Sequence, residues 1–492
     1  MKRHLTLIIF VLCIARGARA SAQAAYDVTL LGVQNSFGLS NASGLNRWGQ
    51  IIGQDSSAFN PQAQLWTPTT ANGTTGTLYG LNSASGFPAG ASSSWATGIN
   101  DRGQVVGSAY TPGQGDGNQT QTWMWRPSPL NDLKGTALNG TRGKAVTFPL
   151  FTIPSLGTGA EYNGSINNSG TIAAYGMYYH PLLFSPSPAN SLTGNWTYEP
   201  NYCAPPSAIN DAGQIAGGTC ESATENVPYV HSGAFPMAAS DLLNSPLWEQ
   251  PPTPNGIGAV SGLNKNGHMS ISAASGTVAQ IRAYLYRNGT AIDVSGGQDT
   301  RAYGLNRYDQ VVGAISATSH ASLFENGMVI DLNTVITPPD PPVGYWLKSA
   351  IRINDVGQIL CNGLYFNGGP YGTQAAFLLT PAVKNPTAQI TVVKGAITQS
   401  GNQYKQTVTL TNNGKNIAGP ISLVLDGLAS GITLTHLTGT TVYTGPVGSQ
   451  YTNIRTGGFA QGTTITATIV LSNPLHLPIS YTARILAGPA PR

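Results

Sequence analysis

Gly44-Leu45-Asn46-Arg47-Trp48-Gly49-Gln50-Ile51-Ile52-Gly53 and Gly98-Ile99-Asn100-Asp101-Arg102-Gly103-Gln104-Val105-Val106-Gly107 are two copies of one pattern. Weaker copies centre on Asn167/Gly170, Asn210/Gly213, Asn264/Gly267, Asn306/Asp309 and Asn354/Gly357, seven in all. Apolar residues flank a short polar turn, which is how a β-hairpin reads. An asparagine side chain can bond the backbone two residues on, forming an Asx-turn. Glycine at the fourth place suits a left-handed residue closing a type I turn with a G1 bulge. The one departure, Asp309, is a residue type that tolerates that conformation.

Outward from each hairpin a third apolar run follows, among them Gln64-Leu65-Trp66, Trp123-Met124-Trp125, Leu182-Leu183-Phe184 and Tyr284-Leu285-Tyr286. A fourth run often comes next: Leu130-Asn131-Asp132-Leu133, Ala291-Ile292-Asp293-Val294 and Val329-Ile330-Asp331-Leu332. The intervals between successive asparagines run from 42 residues (264 to 306) to 67 (100 to 167). A four-stranded propeller blade needs about 40–50 residues, and loop insertions fill the longer intervals. No fourth run follows the seventh third strand, Phe377-Leu378-Leu379. The missing piece stands at the other end of the chain as Tyr26-Asp27-Val28-Thr29-Leu30-Leu31-Gly32. A strand from there completing the last repeat would remove the open edges that invite aggregation. The expected fold is therefore all-β, a seven-bladed β-propeller over residues 25–380, with a β-solenoid as the alternative. Pro381 to Pro386 reads as a linker. Alternating strands from 387 to 492, such as Gln406-Thr407-Val408-Thr409-Leu410 and Thr463 to Leu471, predict an immunoglobulin-like β-sandwich.

The first 24 residues carry a secretory pattern: basic Lys2 and Arg3, an apolar run from Leu5 to Ile14, then small-x-small sites that place cleavage after Ala20, Ala22 or Ala24. No later stretch approaches the ~18 apolar residues of a membrane span. The expected location is secreted, extracellular or cell-surface. Charged residues are only 9% of the 492, with Gly 60 and Pro 33, the composition of many short strands joined by turns. A net charge of +4 without any Lys/Arg cluster gives no sign of nucleic-acid binding. Export permits disulfides. Cys203 and Cys220 lie symmetrically about the Asn210–Gly213 turn and are expected to pair across the hairpin, or else to be buried free thiols. Cys361 has no obvious partner.

The repeat resembles the HAF family of extracellular repeats, named for a His-Ala-Phe tripeptide. The best copy is His320-Ala321-Ser322-Leu323-Phe324-Glu325-Asn326-Gly327, and Arg282-Ala283-Tyr284-Leu285-Tyr286 is another. The resemblance covers about residues 26–380 and implies export and a repeat fold, without a transferable activity. The Asn-x-x-Gly-Gln-Val-Val-Gly half is well kept; no copy holds the intact tripeptide.

There is no Gly-x-Ser-x-Gly elbow, no His-Glu-x-x-His, no phosphate loop and no paired Cys-x-x-Cys. The C-terminal region holds one acidic residue, Asp426, which excludes paired-carboxylate chemistry within it. No metal or cofactor is expected. His180 and His320, at equivalent repeat positions, read as packing or hydrogen-bonding residues. In a propeller the asparagine turns share one face and the length-variable loops the other, and variable loops on a rigid scaffold are where binding resides. Residues entering first strands from that face are Trp95, Glu161, Tyr162, Arg301, Tyr303, Trp346 and Lys348, the candidate ligand-binding set. The alternative reading is that Trp95, Tyr162 and Trp346 fill the spaces between blades. The function expected is a secreted or surface-associated binding scaffold, its partner an extracellular polysaccharide or a cell-surface protein. The alternatives are a polysaccharide-acting hydrolase or lyase using Glu161 with another loop-face acid, or a structural surface component.

Overall fold

The computed structural model describes residues 25–57, 59–112, 119–140, 142–148, 152–153, 157–158, 164–175, 180–198, 205–218, 228–231, 248–249, 258–275, 280–325, 328–336, 343–417, 420–488 and 492. The secretory pattern of residues 1–24, Cys203, Cys220, Glu161 and Tyr162 lie outside them. The described chain is all-β.

Seven four-stranded antiparallel groups follow one another along the chain. Sheet 1 is Phe37–Leu45, Ile51–Asp55, Ala63–Pro68 and Gly76–Gly80, and sheet 2 is Ser93–Ile99, Val105–Thr111, Gln119–Pro127 and Gly143–Thr147. Sheets 3 and 4 begin at Ser165–Ile166 and Pro206–Ile209, and sheets 5 and 6 at Gly258–Leu263 and Thr300–Leu305. Sheet 7 comprises Val343–Ile353, Ile359–Asn367 and Thr373–Pro381, with Tyr26–Val33 as its fourth strand. That last pairing is the one read from the chain termini: Tyr26 lies opposite Pro381 and Val33 opposite Ala375, antiparallel. The same strand also pairs with Phe37–Leu45 at Gly32 and Val33, so sheets 7 and 1 run together as eight strands.

The middle strands are apolar on both faces because a neighbouring sheet covers each face. Val105 and Val106 are both fully buried, as are Trp123, Met124 and Trp125. This is why the Ile-Ile-Gly and Val-Val-Gly doublets lack the alternation of a half-exposed strand. The closing glycine of the doublet sits under the first strand's backbone: a Cβ on Gly107 would meet the Trp95 carbonyl oxygen at 2.0 Å, and one on Gly313 that of Arg301 at 1.7 Å. Seven apolar clusters lie between successive sheets. Leu65 packs with Val105 and Trp125 between sheets 1 and 2, and Val106 with Ile172 and Phe184 between 2 and 3. Ala173 with Ile215 and Tyr229, Val230 with Ile271, Leu285 with Val311, and Val312 with Leu347 and Phe377 carry the series on to sheet 7. The seventh cluster, Leu360, Ala376 and Leu378 against Leu39, Ile51 and Trp66, joins sheet 7 back to sheet 1.

One strand is not where the sequence placed it. Leu130-Asn131-Asp132-Leu133 is a turn, and the fourth strand of sheet 2 is Gly143–Thr147. The Asp132 carboxylate accepts the backbone amides of Lys134, Thr136 and Ala137, which fixes the turn, while buried Asn131 donates to Gln50 and to the Asp101 carbonyl. Side-chain capping here overrides a short apolar pattern.

The C-terminal region forms two four-stranded sheets around one core. One contains Ile390–Ser400, Gln403–Asn412, Thr464–Ser472 and Thr433–Leu434, and the other Gly439–Thr440, Gln450–Arg455, Ile421–Asp426 and Thr482–Ala487. Val408, Leu410, Ile469 and Leu471 of the first pack against Leu423, Leu425 and Ile485 of the second. Asp426, the acid of this region, is engaged by the Arg484 guanidinium through Nε at 2.7 Å and Nη2 at 2.8 Å, and the same guanidinium holds the carbonyls of Thr444 and Pro446. The loop so held touches the repeat region: Val442 accepts from Gln310 Nε2 at 3.1 Å, and the Tyr443 ring meets Tyr26 edge-on at 5.9 Å.

Candidate functional site

The seven repeat asparagines are brought together by their turns. In each copy Oδ1 accepts the backbone amide four residues on, as Gln50 to Asn46 at 2.9 Å and Gln358 to Asn354 at 3.0 Å. In six it also accepts the amide two residues on, as Trp48 to Asn46. The fourth residue of every turn has positive φ, from 65° at Asp309 to 84° at Gly170. These are the Asx-turn and left-handed position expected from sequence.

The amide nitrogen of each asparagine does something a local reading misses. It donates to the backbone carbonyl of the next repeat's asparagine: Asn46 to Asn100 at 3.0 Å, Asn100 to Asn167 at 2.7 Å, Asn167 to Asn210 at 3.1 Å and Asn210 to Asn264 at 3.0 Å. Asn264 reaches Asn306 at 3.0 Å, Asn306 reaches Asn354 at 3.1 Å, and Asn354 returns to Asn46 at 3.4 Å. All seven are buried, at 3–6% exposure. An aspartate would serve the local turn equally well but has no donor for this series, which explains why the residue is asparagine in every copy.

The residues after the asparagines form an outer polar series. Asp101 accepts from the Arg47 amide at 3.0 Å, Asn168 bridges the carboxylates of Asp101 and Asp211 at 3.1 and 2.8 Å, and Asp355 accepts from the Arg307 amide at 3.1 Å. The Arg47 guanidinium lies 3.5 Å from Asp101 and 3.7 Å from Asp355. Burial raises the Asp101 carboxyl above its ordinary range, against its hydrogen bonds and Arg47. These turn acids are therefore engaged with neighbouring sheets. A shallow cavity of 220 Å³ opens here, lined by all seven Leu/Ile-Asn-x triplets.

Leu45, Ile99 and Ile166 also line a second, larger cavity of 660 Å³, bounded by the first strands on the side preceding the asparagines. Its volume is that of a small-molecule site. Polar Asn41, Gln54, Thr97 and Ser207 share the wall with Trp95 and Tyr175, and the described lining holds no Asp or Glu. Several wall groups are fixed from the next sheet: Ser43 Oγ donates to Ala96 O at 2.6 Å, Thr97 to Gly164 O at 3.0 Å and Ser207 to Val260 O at 2.8 Å.

Of the sequence-derived candidates, half-buried Trp95 lines this cavity. Tyr303 is not part of the lining; its backbone carbonyl accepts from Arg352 Nη1, a lining residue, at 3.0 Å. Arg301 and Lys348 are exposed on their strands and are not part of the lining. Trp346, 37% exposed, sets its ring edge-on to His320 at 6.0 Å, outside the cavity. His320 Nδ1 pairs with Asp331 at 2.6 Å, and among the described residues no group of three His, Cys, Asp or Glu is arranged to hold a metal ion. Cys361 is free and fully buried, which pushes its thiol well above the usual range. No helix among the described residues is long and apolar enough to cross a membrane.

Sequence reasoning missed Arg352, a charged residue in the cavity wall. The signal was present. Two residues before each asparagine stand Gly44, Gly98, Ser165, Ala208, Gly262 and Gly304, and in the seventh copy Arg352. Compared with protein-family models this chain matches none, and no curated protein matches it in sequence.

Proposed function

We propose that the seven sheets are the blades of a β-propeller and the C-terminal pair of sheets an immunoglobulin-like sandwich. We further propose that the protein is an exported, HAF-type binding scaffold taking an extracellular glycan into the 660 Å³ cavity. The propeller reading is supported by the seven asparagine bonds and seven apolar clusters that each return to their starting sheet. The cavity wall is the observation that carries the functional reading. Uncharged amides and hydroxyls beside Trp95 offer hydrogen bonds to sugar hydroxyls and an aromatic face for the ring, and the described wall supplies no carboxylate to protonate a glycosidic oxygen. This favours recognition over hydrolysis.

The test is a pull-down of the exported chain against insoluble polysaccharides, with reducing-sugar release measured in the same tubes. Retention without release, weakened about ten-fold or more by Trp95→Ala, is the expected result; truncating a central aromatic typically costs that much. Sugar release abolished by Glu161→Gln would overturn the binding reading in favour of an enzyme. Retention unchanged in Trp95→Ala would move the site out of this cavity.

A further inference from the structure

We propose that the large cavity selects an acidic ligand, on the glycan reading a uronate-type sugar unit, whose carboxylate is received by Arg352. The proposal rests on the cavity being the ligand site and adds its charge selectivity.

The innermost strands of six repeats keep Gly, Ser or Ala two residues before the asparagine, and the seventh places a guanidinium there. Arg352 is the sole charged residue in the described lining. Its Nη1 is anchored by the carbonyls of Ile351 at 2.7 Å and Tyr303 at 3.0 Å. Its Nε and Nη2 meet no acceptor among the described residues, and no carboxylate pairs with it there, whereas Arg47, Arg282 and Arg307 lie 3.5, 3.1 and 3.6 Å from an aspartate. Gly304 of the neighbouring sheet lies against it: a Cβ there would meet the Ile351 carbonyl oxygen at 3.1 Å and the Arg352 Cα and Cδ at the ordinary contact distances of 3.5 and 3.6 Å. Burial works against the charged form, and no described carboxylate offsets it.

A ligand carboxylate would supply that offset. The free edge of the guanidinium presents parallel N–H donors, the arrangement that grips a carboxylate through two bonds. One cation among uncharged amides and hydroxyls matches a monoanion carrying hydroxyl groups. A phosphate dianion would call for further cations, and the described lining holds none besides Arg352.

The probes are trigalacturonate, neutral galactotriose and succinate, titrated by calorimetry into the parent chain, Arg352→Gln and Arg352→Lys. Expected is binding of trigalacturonate at least ten-fold tighter than galactotriose. Arg352→Gln should remove that preference, with a loss of roughly ten- to a hundred-fold for the acidic probe, the range of a charged hydrogen-bonded contact. Arg352→Lys should recover part of it. In the absence of ligand Arg352→Gln should melt no lower than the parent, which guards against misfolding as the cause. Equal binding of acidic and neutral trimers, unaffected by Arg352→Gln, overturns the inference and leaves the glycan reading standing. Succinate bound as well as trigalacturonate, with loss in Arg352→Gln, upholds the anion site and overturns the glycan reading. No binding of any probe overturns the inference.

Discussion

At the scale of the residue, one asparagine does two tasks. Oδ1 organises its own turn and Nδ2 holds the next sheet. Asn306 separates them: its Oδ1 accepts from Tyr308 and Gln310, and its Nδ2 donates to the Asn354 carbonyl and to Gln310 Oε1. Asn306→Ala is expected to lower unfolding free energy by about 1–3 kcal/mol, the cost of stranding buried polar groups. Asn306→Asp keeps the Asx-turn but sets a carboxylate against two oxygens, so it should cost at least as much as alanine. Urea melts compare them, and an aspartate variant as stable as the parent would reduce the residue to a local turn former. Asp101 gives a pH-dependent case. Its folded carboxyl is held above 3.8 by burial, so the folded state binds its proton more tightly than the unfolded chain does. Its stabilising contribution is complete below 3.8 and declines as pH rises through the folded value. The stability of Asp101→Asn relative to the parent should therefore increase with pH across that window and then level. A difference that shrinks with rising pH would contradict burial as the dominant cause. Arg352 shows what a residue-by-residue search overlooks: no motif contains it, and only alignment of the seven copies exposes it as the departure.

At the scale of the element, hairpins and apolar doublets were legible because their causes are local: an Asx-turn, a left-handed glycine, two successive buried side chains. The error at Leu130–Leu133 has an equally local cause of the opposite sign. Two leucines suggested a strand, but the Asp132 carboxylate gathers three backbone amides and makes a turn. Candidate site residues were less legible. Trp95 and Trp346 both sit on first strands, yet Trp95 is part of the cavity lining and Trp346 packs on His320. The first strand of sheet 2 shifts register once, between Ala96 and Gly98, and that of sheet 7 twice, between Leu347 and Ser349 and between Ala350 and Arg352. Such a shift re-aims side chains, and the sequence pattern does not show where it falls.

At the scale of the whole molecule, the first strand of the described chain completes the last sheet. Tyr26 and Val33 are buried in the core between sheets 6 and 7, and Leu31 in the one between 7 and 1. Each such large side chain contributes about 1.5–3 kcal/mol, and Thr373–Pro381 would be left an open edge without them. A chain beginning at Gln34 is expected to lose cooperative melting and to associate. A peptide of residues 25–34 supplied during refolding should restore a monomer by strand addition. A truncated chain that melts like the parent would show the closure to be dispensable. The sequence by itself determined the all-β class, the seven hairpins, the closing strand and the change of character after Pro381, because each follows from periodicity, turn chemistry or composition within a short span. Only the tertiary structure decided which side chains meet across sheets. The donation of each asparagine to its neighbour, the engagement of the turn aspartates and the isolation of Arg352 in an uncharged wall all depend on residues about 40 to 300 positions apart. Contacts over such separations are set by how sheets pack, a property that no local pattern encodes.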